Sequence, residues 1–477
     1  MPLKHKGSDS SAEPKKRKRV GFAEIDPGVE PEECIKIFLD LACTDLRLFT
    51  YASLTAVKNK DEVGATDSLC IKPIDLNQFF NVDEKIYGYK NLKVNVWLNL
   101  VSFHAYAEVT FENKSDRGKG ITDLNPALRD IFGESLIAKE QFLQSFSTNR
   151  DYISSVIADG AGVTCNSLLN DADGSVIEVV QMKLHSPAVG LLYSRLFPLV
   201  LMLVDGGSAI KVTDPNWDIF LAVKKVQDPS GISIVTNVLG FATVYRFFHY
   251  PDSIRFRIGQ ILVLPQYQGQ GYGQLLFDSV YSVALSENVY DVTVEDPSEY
   301  LQYLRTRIDT NRLLGFDPVK PAIDSVLLRL KEENLSKLSS KPSFIPPANL
   351  ITLARQKLKI NKKMFLACWE VLIYLSLDSG SKCMENFRAC FSDHVKGIMV
   401  DKESTGGRKE LIQVPNQYDP AFSFVVTWSP NSGELNNMNG DTNDQSAQEE
   451  QLTHLVAMRM EAIVKIATKI LSLQKPR

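Results

Sequence analysis

The stretch Ile258-Gly-Gln-Ile-Leu-Val-Leu264-Pro-Gln-Tyr-Gln268-Gly-Gln-Gly271-Tyr-Gly-Gln-Leu-Leu276 passes from an apolar strand through a glycine-rich turn into a helix. The turn proper is Gln268-Gly269-Gln270-Gly271-Tyr272-Gly273, with Gln274 next in the helix. Glycines let backbone N–H groups approach and point at an anion, and a helix N-terminus adds a favourable dipole. Such a turn suits a phosphate-bearing ligand, although a plain tight connection between strand and helix would use the same glycines. A second strand, Val289–Glu295, follows the helix, and this crossover sets the two strands parallel. No Gly-Lys-Ser or Gly-Lys-Thr occurs, which excludes the Walker loop. The dinucleotide fingerprint needs glycine at position 274, where the chain has Gln274; Glu295, an acid closing the next strand, keeps that reading open.

Outward from this unit, strands are expected at Ile219–Val226, Val238–Phe248 and Ile254–Leu264, after an apolar helix over Pro187–Val204. Nearer the N-terminus, Val94, Val96, Leu98 and Leu100 alternate, as do Ala105, Ala107, Val109 and Phe111, which predicts strands. Asn125–Phe146 reads as helical. Beyond Pro318 the chain turns helical at Asn349–Lys359, Lys362–Leu377 and Leu452–Leu473, and Ser429–Gln451 reads as a polar loop or disordered. The expected class is mixed α+β and α/β. Residues 1–30 form a disordered tail, 31–165 an α+β domain, 166–320 a domain around the Gly-rich crossover, and 321–477 a helical region with a polar disordered loop near 429–451.

The net charge of −4 is unevenly spread. Residues 1–20 hold seven Lys or Arg against Asp9 and Glu13, which leaves the remaining 457 residues at −9. An acidic body is a poor general binder of nucleic acid and suits a basic partner. The run Pro14-Lys15-Lys16-Arg17-Lys18-Arg19-Val20 is a compact basic cluster on an extended segment, similar to monopartite nuclear import signals. The seven cysteines include no Cys-x-x-C, and no His stands at metal-ligand spacing from one, so free thiols and no metal are expected. The longest apolar run, Leu196–Val204, is interrupted by Pro198 and is about half of what a bilayer span needs. With no apolar signal sequence at its start, the chain is expected to be soluble and intracellular, with no membrane partner.

Gln268-x-x-Gly271-x-Gly273 resembles the pyrophosphate loop [QR]-x-x-G-x-[GA] of the GNAT acetyltransferase superfamily. Ile261-Leu-Val-Leu-Pro265 before it and Val292-Thr-Val-Glu-Asp-Pro-Ser298 after it resemble the core of the type B histone acetyltransferase catalytic subunit family. Tyr245–Asp252 and Arg355–Lys363 are similar to that family too, and the likeness covers roughly residues 33–380. It implies a mixed, splayed sheet in the central domain and acetyl-coenzyme A as the co-substrate. The substrate implied is a lysine in the amino-terminal tail of newly made, non-nucleosomal histone of the H-four class, a tail that is basic and rich in Gly and Lys.

The resemblance also implies site residues. Gln268 to Gln274 would hold the pyrophosphate, and the backbone of Ile261, Leu262 and Val263 would pair with the pantetheine arm. A lysine ammonium, pKa about 10.4, must lose a proton before attacking a thioester. Glu295 is the expected base, assisted by Asp296, because both stand where a parallel strand ends and α/β sheets gather their ligands. Asp205 matches a site-lining Glu of the family and is shorter. Asp83 and Glu84 match the acidic positions that grip the tail, and Tyr245, Arg246 and Phe247 match a tail-contacting stretch. Tyr300 and Tyr303 fall outside the usual spacing, so the acid that protonates the leaving thiolate has no assignment. Family likeness adds a WD40-repeat histone chaperone as partner, no direct contact with DNA, and residence in both nucleus and cytoplasm. The alternatives are a GNAT enzyme acting on another basic protein or a small amine, and a module that binds acetyl-coenzyme A or histone without turnover.

Overall fold

The computed structural model describes residues 26–40, 68–74, 76–80, 83–116, 118–163, 175–227, 234–331, 344–377, 381–405 and 442–474. The basic cluster Lys15–Arg19 lies outside the described residues. The chain divides into two units. The first comprises Met1–Gly160, Leu184–Asp214 and Lys224–Val238; the second comprises Ala161–Lys183, Pro215–Val223 and Leu239–Arg477. The chain thus crosses between units several times, where the sequence suggested successive blocks. The apolar helix expected to open the central domain, observed over Pro187–Leu203, belongs to the first unit.

In the first unit β1 (Ile35–Asp40), β2 (Ser68–Ile71), β4 (Lys93–Asn99) and β5 (Ala105–Thr110) form a sheet of order β2-β1-β4-β5. β4 lies parallel to β1 and antiparallel to β5. Val94, Val96 and Leu98 are buried as their alternation requires, and Trp97 and Asn99 on the other face are buried too. That second face is covered by a helix, Lys139–Thr148: Trp97 stacks between Phe38 and Tyr106, and Phe142 and Phe146 join the cluster. The helical reading of Asn125–Phe146 is met by two helices. The first, Leu124–Phe132, is N-capped by Asp123 and stops at Gly133, whose φ is +53°. A small ribbon pairs β3 (Tyr89–Lys90) with β6 (Asn113–Lys114).

The second unit is built on a six-stranded sheet of order β12-β11-β10-β9-β8-β7. Its members are β7 (Ala161–Val163), β8 (Val176–Lys183), β9 (Trp217–Gln227), β10 (Ile234–His249), β11 (Ser253–Val263) and β12 (Val292–Val294). β10 and β11 are antiparallel, and β11 and β12 are parallel, as the crossover demanded. The crossover helix runs over Tyr272–Ser286 and is followed by a helix at Glu299–Leu314. Strands β7 and β8 had no expectation in the sequence.

The described residues of 321–477 are helical, as expected. Their described helices, Val319–Leu330, Ala348–Leu358, Lys362–Leu375, Ser381–Thr405 and Thr442–Gln474, fall in the second unit. Phe365, Trp369, Phe391 and Ile466 share one buried cluster with Phe256, Leu276 and Val292 of the sheet and crossover. The helices are amphipathic, and they bury their apolar faces on one another, on the crossover helix and on the Glu299–Leu314 helix. Thr442–Gln451, expected within the polar loop, begins the last helix; residues 429–441 lie outside the described residues. No helix among the described residues is long and apolar enough to cross a membrane.

Candidate active site

Strand β11 keeps β10 beside it along its whole length, but β12 pairs only with Phe256, Arg257 and Ile258. The Glu295 N–H adds one more bond, to the Ile258 carbonyl at 2.9 Å, and the chain then leaves the sheet. Among the described residues, no strand covers that edge of β11 past Ile258. A bulge at Gly259, between the pairs Thr243–Gln260 and Val244–Ile258, sets which groups face the gap. Gln260 N–H turns to Thr243 Oγ1 (3.0 Å) and Leu264 N–H to the Leu239 carbonyl (2.9 Å). Backbone groups alternate along a strand, so Ile261 and Val263 face the gap while Leu262 faces β10. Of the expected triplet, the backbone groups of Ile261 and Val263 are thus the ones turned to the uncovered edge.

At the far end of this edge the loop curls from Pro265 into the crossover helix. Gly269 and Gly271 adopt φ of +77° and +96°, a region that L side chains rarely enter. Gly271 is the N-cap residue and no side chain caps the helix, while the first turn's N–H groups have no intrahelical acceptor. Two glutamines brace the loop. Gln268 Nε2 donates to the Val263 carbonyl (3.0 Å) and Gln270 Nε2 to the Gln266 carbonyl (3.1 Å). Gln268 therefore shapes the loop with its side chain. A Cβ at Gly273 would stand 3.5 Å from Leu304, against the next helix. Arg307, which the sequence did not single out, donates to Gln274 Oε1 at 3.4 Å and brings a cation to the helix's first turn. These residues fit a pyrophosphate: donor groups, left-handed glycines and positive charge converge.

At the other end of the edge stands Glu295. A Cβ at Gly259 would lie 3.6 Å from Glu295 Oε2 and 2.8 Å from the Trp217 ring, so only glycine lets Trp217 close over the bulge beside the carboxylate. Arg257 Nη1 is 3.9 Å from Glu295 Oε1. The β12 strand that carries Glu295 is pinned from outside: the Val292 carbonyl accepts from Arg305 Nη2 (2.7 Å) and Asn361 Nδ2 (2.9 Å), and the Val292 N–H donates to the Lys359 carbonyl. Asp296 is exposed beside it with φ of +28°, and Ser298 caps the following helix through the Leu301 N–H.

Strand alternation sorts the β10 residues. Tyr245 and Phe247 share the face that holds Arg257: the Trp217 and Tyr245 rings are 4.9 Å apart, Tyr245 and Phe247 4.5 Å, and the Arg257 guanidinium lies 4.4 Å over Phe247. Arg246 points to the opposite face. Its guanidinium grips Asp218 (2.6 Å) and, with two bonds, Glu287 (2.6 and 2.8 Å). The Glu287 carboxylate, followed by Asp218, pushes its pKa further up despite burial. Arg246 is thus a clamp inside the unit, its side chain on the face opposite Tyr245 and Phe247. Period two made that separation readable in the sequence; Trp217 and Arg257 carried no such signal.

The remaining acids lie in the first unit. Asp205 occupies an exposed turn just past the Pro187–Leu203 helix. Asp83 and Glu84 both take left-handed φ, 49° and 58°. Asp83 accepts from Lys119 Nζ (2.8 Å) and the Tyr87 hydroxyl (3.1 Å), and these two bonds hold its carboxyl below the usual range.

A splayed pair of parallel strands with a glycine loop opening the intervening helix is the architecture of a GNAT acetyltransferase, and residues 212–301 match the acetyltransferase (GNAT) family model. Residues 29–205 match the histone acetyl transferase HAT1 N-terminus. A histone acetyltransferase type B catalytic subunit of Zea mays is 46% identical over 478 residues, covering 99% of this chain and 97% of that one. Its Arabidopsis thaliana counterpart is 45% identical over 465 residues (96% and 95%), and one of Dictyostelium discoideum is 27% identical over 373 (75% and 74%). The chain belongs to the family of histone acetyltransferase type B catalytic subunits.

Proposed function

We propose that this chain transfers acetyl from acetyl-coenzyme A to lysine side chains in the tail of newly made, non-nucleosomal histone of the H-four class. The observation that carries the reading is the open edge of β11, with the phosphate-type loop at one end and Glu295 at the other. The GNAT fold entails use of acetyl-coenzyme A, whose thioester supplies the activated acyl carbon. Loop N–H groups from Gly269 to Gln274 would hold its pyrophosphate, with Arg307 adding charge, and the backbone of Ile261 and Val263 would receive its extended arm.

Glu295 takes the proton from the substrate ammonium, directly or through a water, and so frees the amine for attack. Two features support this role: the residue is anchored through its own backbone, and its carboxylate sits beside the Trp217 ring, which packs on Tyr245 and through it on Phe247. Asp296 assists, and Asp205 is assigned to the site on family likeness alone. Asp83 and Glu84 bind the basic tail without entering the chemistry. The reading further includes a WD40-repeat histone chaperone as partner, no direct contact with DNA, and residence in nucleus and cytoplasm with Lys15–Arg19 as the import signal. An incubation with radiolabelled acetyl-coenzyme A and a panel of free histones, nucleosomes and polyamines tests it. Label should enter free histone fastest; preferential labelling of nucleosomes or polyamines would overturn the substrate assignment.

A further inference from the structure

The acidic site of the first unit already holds a lysine of this chain. Lys119 Nζ lies 2.8 Å from Asp83 Oδ2 and 5.8 Å over the Tyr87 ring, the carboxylate-plus-aromatic pairing that selects an ammonium group. Glycines flank it: Gly118 and Gly120 have φ of +94° and +81°, and a Cβ on either would meet nothing within 4 Å. Crowding therefore does not call for glycine here; the left-handed backbone does. Asp116 Oδ1 accepts from both glycine N–H groups, at 2.8 and 3.0 Å, and folds this short piece over the acid.

The approach to this turn repeats the same chemistry. Lys114 pairs with Tyr89 as β6 against β3, and its ammonium stands 5.1 Å over the Tyr89 ring and 5.0 Å over Phe111. Backbone bonds fix both ends, Ser115 N–H to the Gly88 carbonyl (3.1 Å) and Thr122 N–H to the Tyr87 carbonyl (3.1 Å). Two lysines of one segment thus sit on the acid and the rings of its neighbour.

We propose that Gly118-Lys119-Gly120 is an internal occupant of the Asp83–Tyr87 site, which a lysine of the incoming tail must displace. This rests on the reading that Asp83 contacts the tail. The side chains are 41% and 58% exposed, so the pair is readily exchanged with a competitor from solution. An exposed ion pair of this kind changes affinity by at most roughly fivefold. That is enough to discriminate against peptides offering a single cation, and too little to shut the site against a tail offering several.

The test measures calorimetric affinity at low salt for a synthetic Gly- and Lys-rich tail peptide, with the full chain as parent, K119Q, K119R and D83N. Expected are a roughly two- to fivefold tighter Kd for K119Q, a parent-like Kd for K119R, and weaker binding by D83N. If D83N weakens binding while K119Q binds no tighter than parent, the occupant idea is overturned and the tail reading survives. If D83N binds as the parent does, the tail reading of Asp83 fails and the inference falls with it.

Discussion

Replacing Glu295 by Gln removes the proposed base while keeping its shape and its hydrogen-bonding capacity. General-base catalysis is worth about 10²–10⁴ in rate, or about 2.7–5.5 kcal/mol of barrier. Against this, the structural cost is small. The residue is held by its backbone N–H on the Ile258 carbonyl, which Gln retains, and its side chain is 49% exposed with one loose partner, Arg257 at 3.9 Å. An exposed pair of that geometry contributes about 0–1 kcal/mol, which would move Tm by only about 2–4 °C. The expected variant is therefore folded, binds acetyl-coenzyme A about as well as the parent, and turns over 10²–10⁴-fold more slowly, by roughly the figures above. Initial rates at saturating histone peptide and co-substrate give kcat; calorimetry and thermal unfolding check the other two. A kcat within about threefold of the parent would refute the assignment, since no general base is worth so little. Should Asp296→Asn be the more damaging change, the two acids exchange roles.

Gly271→Asp, at the left-handed N-cap, puts a side chain and a negative charge where the pyrophosphate is proposed; calorimetry should show a large loss of acetyl-coenzyme A affinity. Reversing Asp83 and Glu84 to Lys should raise KM for the free tail more than it lowers kcat, and salt should shrink the difference. Burial pushes Glu370 up to about 7 even with Arg459 against it. A carboxyl raised in the fold contributes stability that is complete at low pH and lost as pH rises through about 7, so Arg459→Ala should cost about 3–5 kcal/mol at pH 8 and clearly less at pH 5.5 in denaturant unfolding. Deleting Lys15–Arg19 should leave turnover intact and shift a fluorescent fusion toward the cytoplasm; a fusion as nuclear as the parent would remove the import role.

What the sequence disclosed follows from where local rules suffice. The crossover from β11 through the loop into the helix is governed by glycine conformation and connection handedness, both local, and the helix follows the loop directly at Tyr272–Ser286. The short β12 was expected to be longer, because Val289 is buried like a strand residue while lying outside the ladder. Less local features escaped. Trp217 earns its place through Tyr245 and Gly259, the latter 42 positions later, and Arg307 through the proximity of two helices. The packing of the described helices from residue 348 on against the crossover helix and the Glu299–Leu314 helix was equally hidden, since an amphipathic face does not name the surface it covers.

The fate of Arg246 links these parts. Its neighbours Tyr245 and Phe247 form the aromatic wall near Glu295, whereas Arg246 itself turns through the sheet to Glu287, the C-cap residue of the crossover helix. Asp218 on β9 receives the same guanidinium and also pairs with Lys183 on β8 at 2.7 Å, so three strands and one helix end are tied by two buried or half-buried acids. The other end of that helix carries Gly271 and the loop. A helix clamped at its C-terminus helps to place its N-terminus, so the glycine loop and the aromatic wall beside Glu295 are held by successive residues of one strand. Side chains on one face of β10 build that wall, and Arg246 on the other holds the helix that carries the loop.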